Sequence, residues 1–136
     1  MSEITEIADR LDIAELFARL ARLLDEGRPE DVHTIYAEDV VVRSPRAELR
    51  GVDAVIAFLH RSRVAGEHTQ HVHGDVLVDV VGDRAQASAN QVVHYYRTGK
   101  PPHRRSGLRM AYAATRTPAG WRFHEGQLTL AWTEGD

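Results

Sequence analysis

The sequence predicts an α+β fold in a single domain that covers residues 1–136. Apolar residues recur at helical spacing in the first half of the chain, whereas four long segments of strand composition fill the second half. Hairpin signals join these segments and favour an antiparallel sheet. Helices set apart from an antiparallel sheet define the α+β class. A strongly curved sheet wrapped around the helices would leave a cavity at one end.

The first predicted helix begins near residue 4 and ends before Gly27 and Pro29, which are typical helix-ending residues. Ser2 is a suitable N-cap for it. Apolar residues recur along this helix at three- and four-residue steps and predict one buried stripe. The stripe consists of Ile4, Ile7, Leu11, Ile13, Leu16, Phe17, Leu20 and Leu24.

A short second helix is predicted over residues 29–36, because a proline at position 29 fits a first helical turn. The valines at positions 40–42 predict a short strand, and a third helix follows over residues 51–63. The four long strands are predicted at residues 69–81, 84–98, 106–117 and 121–133. Together they form a meander, with tight turns at Gly82-Asp83 and at residues 118–120.

The composition excludes several classes of function. Hydrophobic residues make up 43% of the chain, enough for a core without a metal or disulfide, and the absence of cysteine excludes thiolate chemistry. A net charge of −3 predicts no nucleic-acid partner. The acidic N-terminus does not resemble a signal peptide, and no apolar run approaches the roughly 20 residues that cross a bilayer. We therefore expect a cytoplasmic protein without a membrane partner.

Four motifs, in order and at matching spacing, resemble the SnoaL-like branch of the nuclear-transport-factor-2-like (NTF2-like) superfamily. They are Leu24-Asp25 with Gly27 and IYAEDV at 35–40, LRGVDAVIAFL at 49–59, His71 with Asp75 and Gly82-Asp83, and RTPAGWRF at 116–123. The resemblance spans almost the whole chain. It implies a cone-shaped barrel of three helices on a strongly curved, mostly antiparallel sheet, usually in a homodimer packed through the sheet.

Relatives in this superfamily include cofactor-free polyketide cyclases, scytalone-type dehydratases and steroid isomerases, as well as plain binding proteins. The resemblance thus implies a lyase, isomerase or cyclase that needs no cofactor and uses general acid-base catalysis. Its partner would be a hydrophobic polyketide- or steroid-like molecule of secondary metabolism. A non-catalytic binding protein is the alternative, since fold alone does not choose among these functions. No nucleotide-binding glycine motif is present.

Asp25 and His71 are the predicted catalytic pair. In dehydratase-like relatives an aspartate at this position orients a catalytic histidine, so the resemblance implies that His71 is the general base and acid and Asp25 its orienting partner. Position alone leaves other roles open. Asp25 could cap a loop or meet water at the helix end, and His71 could bond a backbone carbonyl.

Four further residues are candidates for substrate binding. Tyr95 shares the strand parity of three small alanines at 85, 87 and 89, which predicts that it faces inward if no bulge intervenes. Tyr36 could reach the pocket mouth, as aromatic residues at this position do in relatives. Arg109 and Tyr112 lie on opposite faces of one strand, so at most one of them points inward.

His71 and His73 also lie on one strand face and would form half of a metal site. A third ligand would have to come from Asp75, His94 or His124, and no spacing in the sequence completes a known motif. A metal-dependent enzyme using His71 and His73 is therefore a lesser alternative, and we predict no metal.

Overall fold

Three helical segments and six strands make up residues 3–135, the part of the chain that this computed structural model describes. Helix α1 spans Glu3–Glu26, a 3-10 helix spans Pro29–Thr34, and helix α2 spans Val52–Arg61. The strands are β1 (Tyr36–Arg43), β2 (Glu48–Arg50), β3 (His68–Val81), β4 (Arg84–Tyr96), β5 (Arg104–Thr117) and β6 (Gly120–Gly135). Ser2, the predicted N-cap, lies outside the described residues.

The strands form one sheet in the order β2-β1-β6-β5-β4-β3. All neighbouring pairs are antiparallel except β1 and β6, which run parallel. The predicted α+β fold, with helices on a curved and mostly antiparallel sheet, is confirmed. Within residues 3–135, no helix is both long and apolar enough to span a bilayer.

The second helix is shorter than predicted. It ends at Thr34 as a 3-10 helix, whereas the prediction carried it to residue 36. The backbone N–H of Phe123 donates a 2.9 Å hydrogen bond to the carbonyl of Ile35, and Tyr36 pairs with Phe123 at the start of β1. Pairing with β6 therefore draws Tyr36 into the sheet.

The buried face of α1 also differs from the predicted stripe. Ile13, Leu16, Phe17 and Leu20 are buried as predicted, and Leu24 is partly buried, with Leu23 in the core beside it. Ile4, Ile7 and Leu11 are 80%, 57% and 66% exposed. In this first part of the helix, Asp9 takes the inward position and is only 4% exposed. The prediction was wrong there because apolar spacing does not reveal a carboxylate that has partners on the sheet.

A bulge in β3 decides which of its side chains face the helices. The pairing with β4 shifts between Gly74 and Leu77, and Asp75 adopts a positive φ of 52°. Because a bulge reverses the alternation of side chains, residues 69, 71 and 73 face inward before it, and the valines at 76, 78 and 80 face inward after it. Asp75 is left exposed, where Asn90 donates a 3.1 Å hydrogen bond to it.

Close packing at Gly126 leads to a stability prediction. A Cβ at this position would overlap the ring of Tyr112, which is 1% exposed and cannot move aside. A Cβ at Gly107 would likewise overlap Trp132, but that indole is 46% exposed and can rotate into solvent. We expect Gly126→Ala to lower the free energy of unfolding by about 2 kcal/mol and Gly107→Ala by less than about 1 kcal/mol. Urea denaturation of the two variants measures both losses of stability. Equal losses for Gly126→Ala and Gly107→Ala would contradict the prediction.

Candidate active site

Asp25 and His71 are in direct contact. The His71 Nδ1 lies 2.6 Å from Asp25 Oδ1, and the backbone N–H of His71 donates to Asp25 Oδ2 at 2.9 Å. The hydroxyl of Thr69 donates a further 3.0 Å hydrogen bond to Oδ1. The side chains are 12% (His71) and 22% (Asp25) exposed, so a small molecule can still reach them.

The fold brings this pair together because β3 is an edge strand. An edge strand presents backbone N–H groups that no neighbouring strand accepts, and Asp25 accepts the one at His71. Asp25 itself sits in the last turn of α1, where the helix dipole disfavours a negative charge. The hydrogen bonds from β3 offset that cost and fix the end of the helix against the strand.

The hydrogen bonds from β3 keep Asp25 ionised and fix the orientation of the His71 ring. Burial raises the pKa of Asp25, but hydrogen bonds from the side chain and backbone of His71, its charge and the Thr69 hydroxyl together hold that pKa below its ordinary value. An ionised carboxylate only accepts hydrogen bonds, so Nδ1 of His71 carries the proton. Its Nε2 has no hydrogen-bond partner among residues 3–135 and is the atom that carries the lone pair whenever the ring is neutral. This arrangement can accept a proton from a bound molecule.

The pair lines a cavity of about 450 Å³ between the end of α1, helix α2, the start of β3 and the end of β4. Its apolar walls come from Leu23, Leu24, Phe58, Leu59 and Val64. The rest of the lining is largely polar or charged, and a cavity of this size that combines an apolar wall with polar groups can hold a small molecule. A second groove, of about 520 Å³ between α1 and β3, shares Asp25 and His71 but lacks α2 as a wall.

Tyr95 lines the same cavity as Asp25 and His71. The pairing of β4 with β5 runs without a register shift from Arg84 to Tyr95, so the inward parity of the three alanines continues to Tyr95. The predicted orientation is confirmed. The guanidinium of Arg104 stacks 3.9 Å from the centre of the Tyr95 ring, which fixes the ring at the cavity wall.

Tyr36 and Tyr112 lie deeper, in the core. Their hydroxyl oxygens are 2.7 Å apart, and the Tyr112 ring stacks on Phe123 at 4.1 Å. Burial raises the pKa of Tyr36 to about 12 and that of Tyr112 well above its ordinary value, so both stay neutral. Tyr36 is 5% exposed and does not reach the pocket mouth, in contrast to the prediction, because its hydroxyl is held by Tyr112.

Arg109 lies on the opposite face of β5 from Tyr112 and is exposed. It lines neither the cavity nor the groove. The alternation along β5 thus selects Tyr112 as the inward member of this predicted pair. Arg109 has no part in the site proposed below.

His73 lies on the same face of β3 as His71, as predicted, but its hydrogen-bond partner is not Asp25. Its Nε2 lies 2.8 Å from Oε1 of Gln91, a side chain that is 5% exposed. Burial lowers the pKa of His73 against the opposing effect of that hydrogen bond, so the ring is neutral near pH 7. Within residues 3–135 no three His, Asp or Glu side chains are grouped so as to hold a metal ion. Gln91 was not predicted as a site residue. Its one signal in the sequence is that it shares a strand face with Ala89 and Tyr95, which were expected to face inward.

Comparison with solved structures identifies the class of fold. An NTF2-like protein with a cystatin-like fold from Novosphingobium aromaticivorans is 32% identical, with a TM-score of 0.80 over 94% of this chain and 85% of that chain. A protein from the same organism proposed to be a scytalone dehydratase is 18% identical, with a TM-score of 0.86 over 99% of this chain and 92% of that one. A hexachlorocyclohexane dehydrochlorinase from Novosphingobium barchaimii is 11% identical, with a TM-score of 0.85 over 99% and 94%. The latter two show a shared fold alone.

The helices, the curved sheet and the cavity beneath α2 therefore define an NTF2-like α+β protein. Within that class, the chain belongs to the SnoaL-like family, whose domain model matches residues 5–126. No curated protein matches the sequence significantly. The predicted family is confirmed.

Proposed function

We propose that this protein is a cofactor-independent lyase, isomerase or cyclase that acts on a hydrophobic small molecule of polyketide or steroid type. The observation that carries the proposal is the 2.6 Å contact between His71 and Asp25 on the wall of the cavity. It presents to a bound molecule an imidazole whose second nitrogen, Nε2, is not used within the pair. The names of the two enzyme-like structural neighbours agree with proton-transfer chemistry of this kind.

In this mechanism Nε2 of His71 takes a proton from a carbon next to a carbonyl group. The electrons of the broken C–H bond form an enolate, whose oxygen accepts a hydrogen bond from the Tyr95 hydroxyl. Asp25 stabilises the imidazolium that forms. The proton then passes to a hydroxyl that leaves as water, which completes a dehydration, or to another carbon, which completes an isomerisation.

Hydrogen exchange tests this function without knowledge of the natural substrate. A panel of polycyclic ketones is incubated with the protein in D₂O, and deuterium uptake at the carbon next to the carbonyl is followed by mass spectrometry. We expect uptake well above the buffer rate, because a positioned base typically contributes about 10²–10⁴ in rate. Benzophenone, which has no such hydrogen, is the control and must gain no deuterium.

Ketones that bind without any enhanced exchange would instead support a carrier or sensor with the same cavity. That outcome would contradict the enzyme proposal, because binding places the ketone beside His71. The homodimer and the cytoplasmic location expected from the sequence stay predictions.

A further inference from the structure

Two arginines on the rim of the cavity have no carboxylate partner. Arg46, in the turn between β1 and β2, and Arg63, just after α2, both line the cavity of Asp25 and His71. Among residues 3–135 neither forms an ion pair. Both are exposed, so their positive charges face the entrance.

The negative charges on the same rim already have partners. Glu26 is paired with Arg28 at 2.9 Å, and Glu67 lies 2.8 Å from Nε2 of His103. The carboxylate of Asp25 is in contact with His71. The unpartnered charges at the entrance are therefore the two guanidiniums.

Contacts with the protein hold both arginines in place. The guanidinium carbon of Arg46 lies 5.3 Å from the centre of the Phe58 ring, which is itself a wall of the cavity. Arg63 lies against Gly27, whose φ of +66° ends α1 and where an added Cβ would stand 3.3 Å from its Nη1. A cation at this end of a helix is favoured by the helix dipole. Groups held in this way lose less freedom when they bind an anion.

We propose that the cavity accepts small-molecule carboxylates, with Arg46 and Arg63 binding the carboxylate at the entrance and the apolar walls enclosing the rest of the molecule. The planar fork of a guanidinium matches the two oxygens of a carboxylate. The apolar walls at Leu24, Phe58 and Leu59 suit a hydrocarbon body, and His71 lies on the wall of the same cavity. A carboxylate substrate makes the proposed function more specific. The reaction of such a substrate rests on the proposed function, whereas its binding does not.

A matched pair of probes tests the proposal by calorimetry. 2-Naphthoate and 2-naphthamide have the same apolar body, and only the first is charged. We expect the wild-type protein to bind the acid about tenfold more tightly than the amide. In Arg46→Gln/Arg63→Gln that ratio should fall to about one, while binding of the amide stays unchanged and shows that the fold is intact.

The control variant is Arg84→Gln/Arg109→Gln, which removes the same charge at two exposed arginines that line neither the cavity nor the groove, and it should keep the acid preference. The proposal is overturned if the wild-type protein, tested up to about 1 mM ligand, binds the acid no more tightly than the amide. It is also overturned if the two double variants lose the preference equally, since net charge would then explain it. An acid preference without any hydrogen exchange would leave this inference standing and contradict the enzyme proposal alone.

Discussion

Asp25→Asn is expected to slow catalysed hydrogen exchange or turnover by about 10²–10⁴-fold while the protein stays folded. An asparagine amide fills the same space, but its N–H₂ group can donate to Nδ1 of His71. The ring would then carry its proton on Nε2, the atom that must accept one from the substrate. His71→Gln is expected to have an effect of the same order, because it removes the base itself.

Glu26→Gln is the matched control for this prediction. Glu26 is the next residue along α1 and lines the same cavity, but its carboxylate is paired with Arg28 rather than His71. Its loss should change the rate less than about twofold. Equal rates for Asp25→Asn and wild type would show that the Asp25–His71 contact is structural, with the carboxylate serving only to attach α1 to β3.

The fold and the site differ in how far the sequence alone predicts them. Apolar periodicity and turn residues predicted the helices and the long strands, because these patterns depend on near neighbours. The contact between Asp25 and His71 joins residues 46 positions apart, and only the resemblance to a known family brought the two together. Tyr95 was placed correctly because β4 has no bulge along its pairing with β5.

Other features have no local signal. Tyr36 is paired with Tyr112, 76 positions away, which no alternation along a strand predicts. Arg46 and Arg63 have no carboxylate partner because Glu26 and Glu67 are already paired with other side chains. The sequence does not show this pairing. In the sequence, Asp9 is one of several acidic residues on the first helix. Its hydrogen-bond partners lie more than a hundred residues away along the chain.

Asp9→Ala is expected to lower the free energy of unfolding by about 2 kcal/mol, with a fall of roughly 5–10 °C in Tm. Asp9 accepts hydrogen bonds from Arg116 at 2.7 and 3.0 Å and from the indole N–H of Trp121 at 3.1 Å. Trp121 is 3% exposed, so the variant leaves a buried donor without a partner. The value lies below that of a fully buried ion pair because the Arg116 side chain is 34% exposed and its charge is partly screened by solvent.

Asp12→Ala, on the exposed face of the same helix, is the control and should change stability by less than about 0.5 kcal/mol.

The pH dependence of stability provides an independent check. Hydrogen bonds from Arg116 lower the pKa of Asp9, outweighing the opposing effect of burial, and the bond from Trp121 adds to them. A carboxyl whose pKa is lowered on folding stabilises the protein above its unfolded pKa of about 4, and this contribution disappears as the pH falls through the folded pKa. The stability difference between wild type and Asp9→Ala should therefore be constant from about pH 5 to 8 and shrink below about pH 4. A difference that persists at lower pH would mean that the hydrogen bond with Trp121, rather than the charge of Asp9, holds the first half of α1 to the sheet.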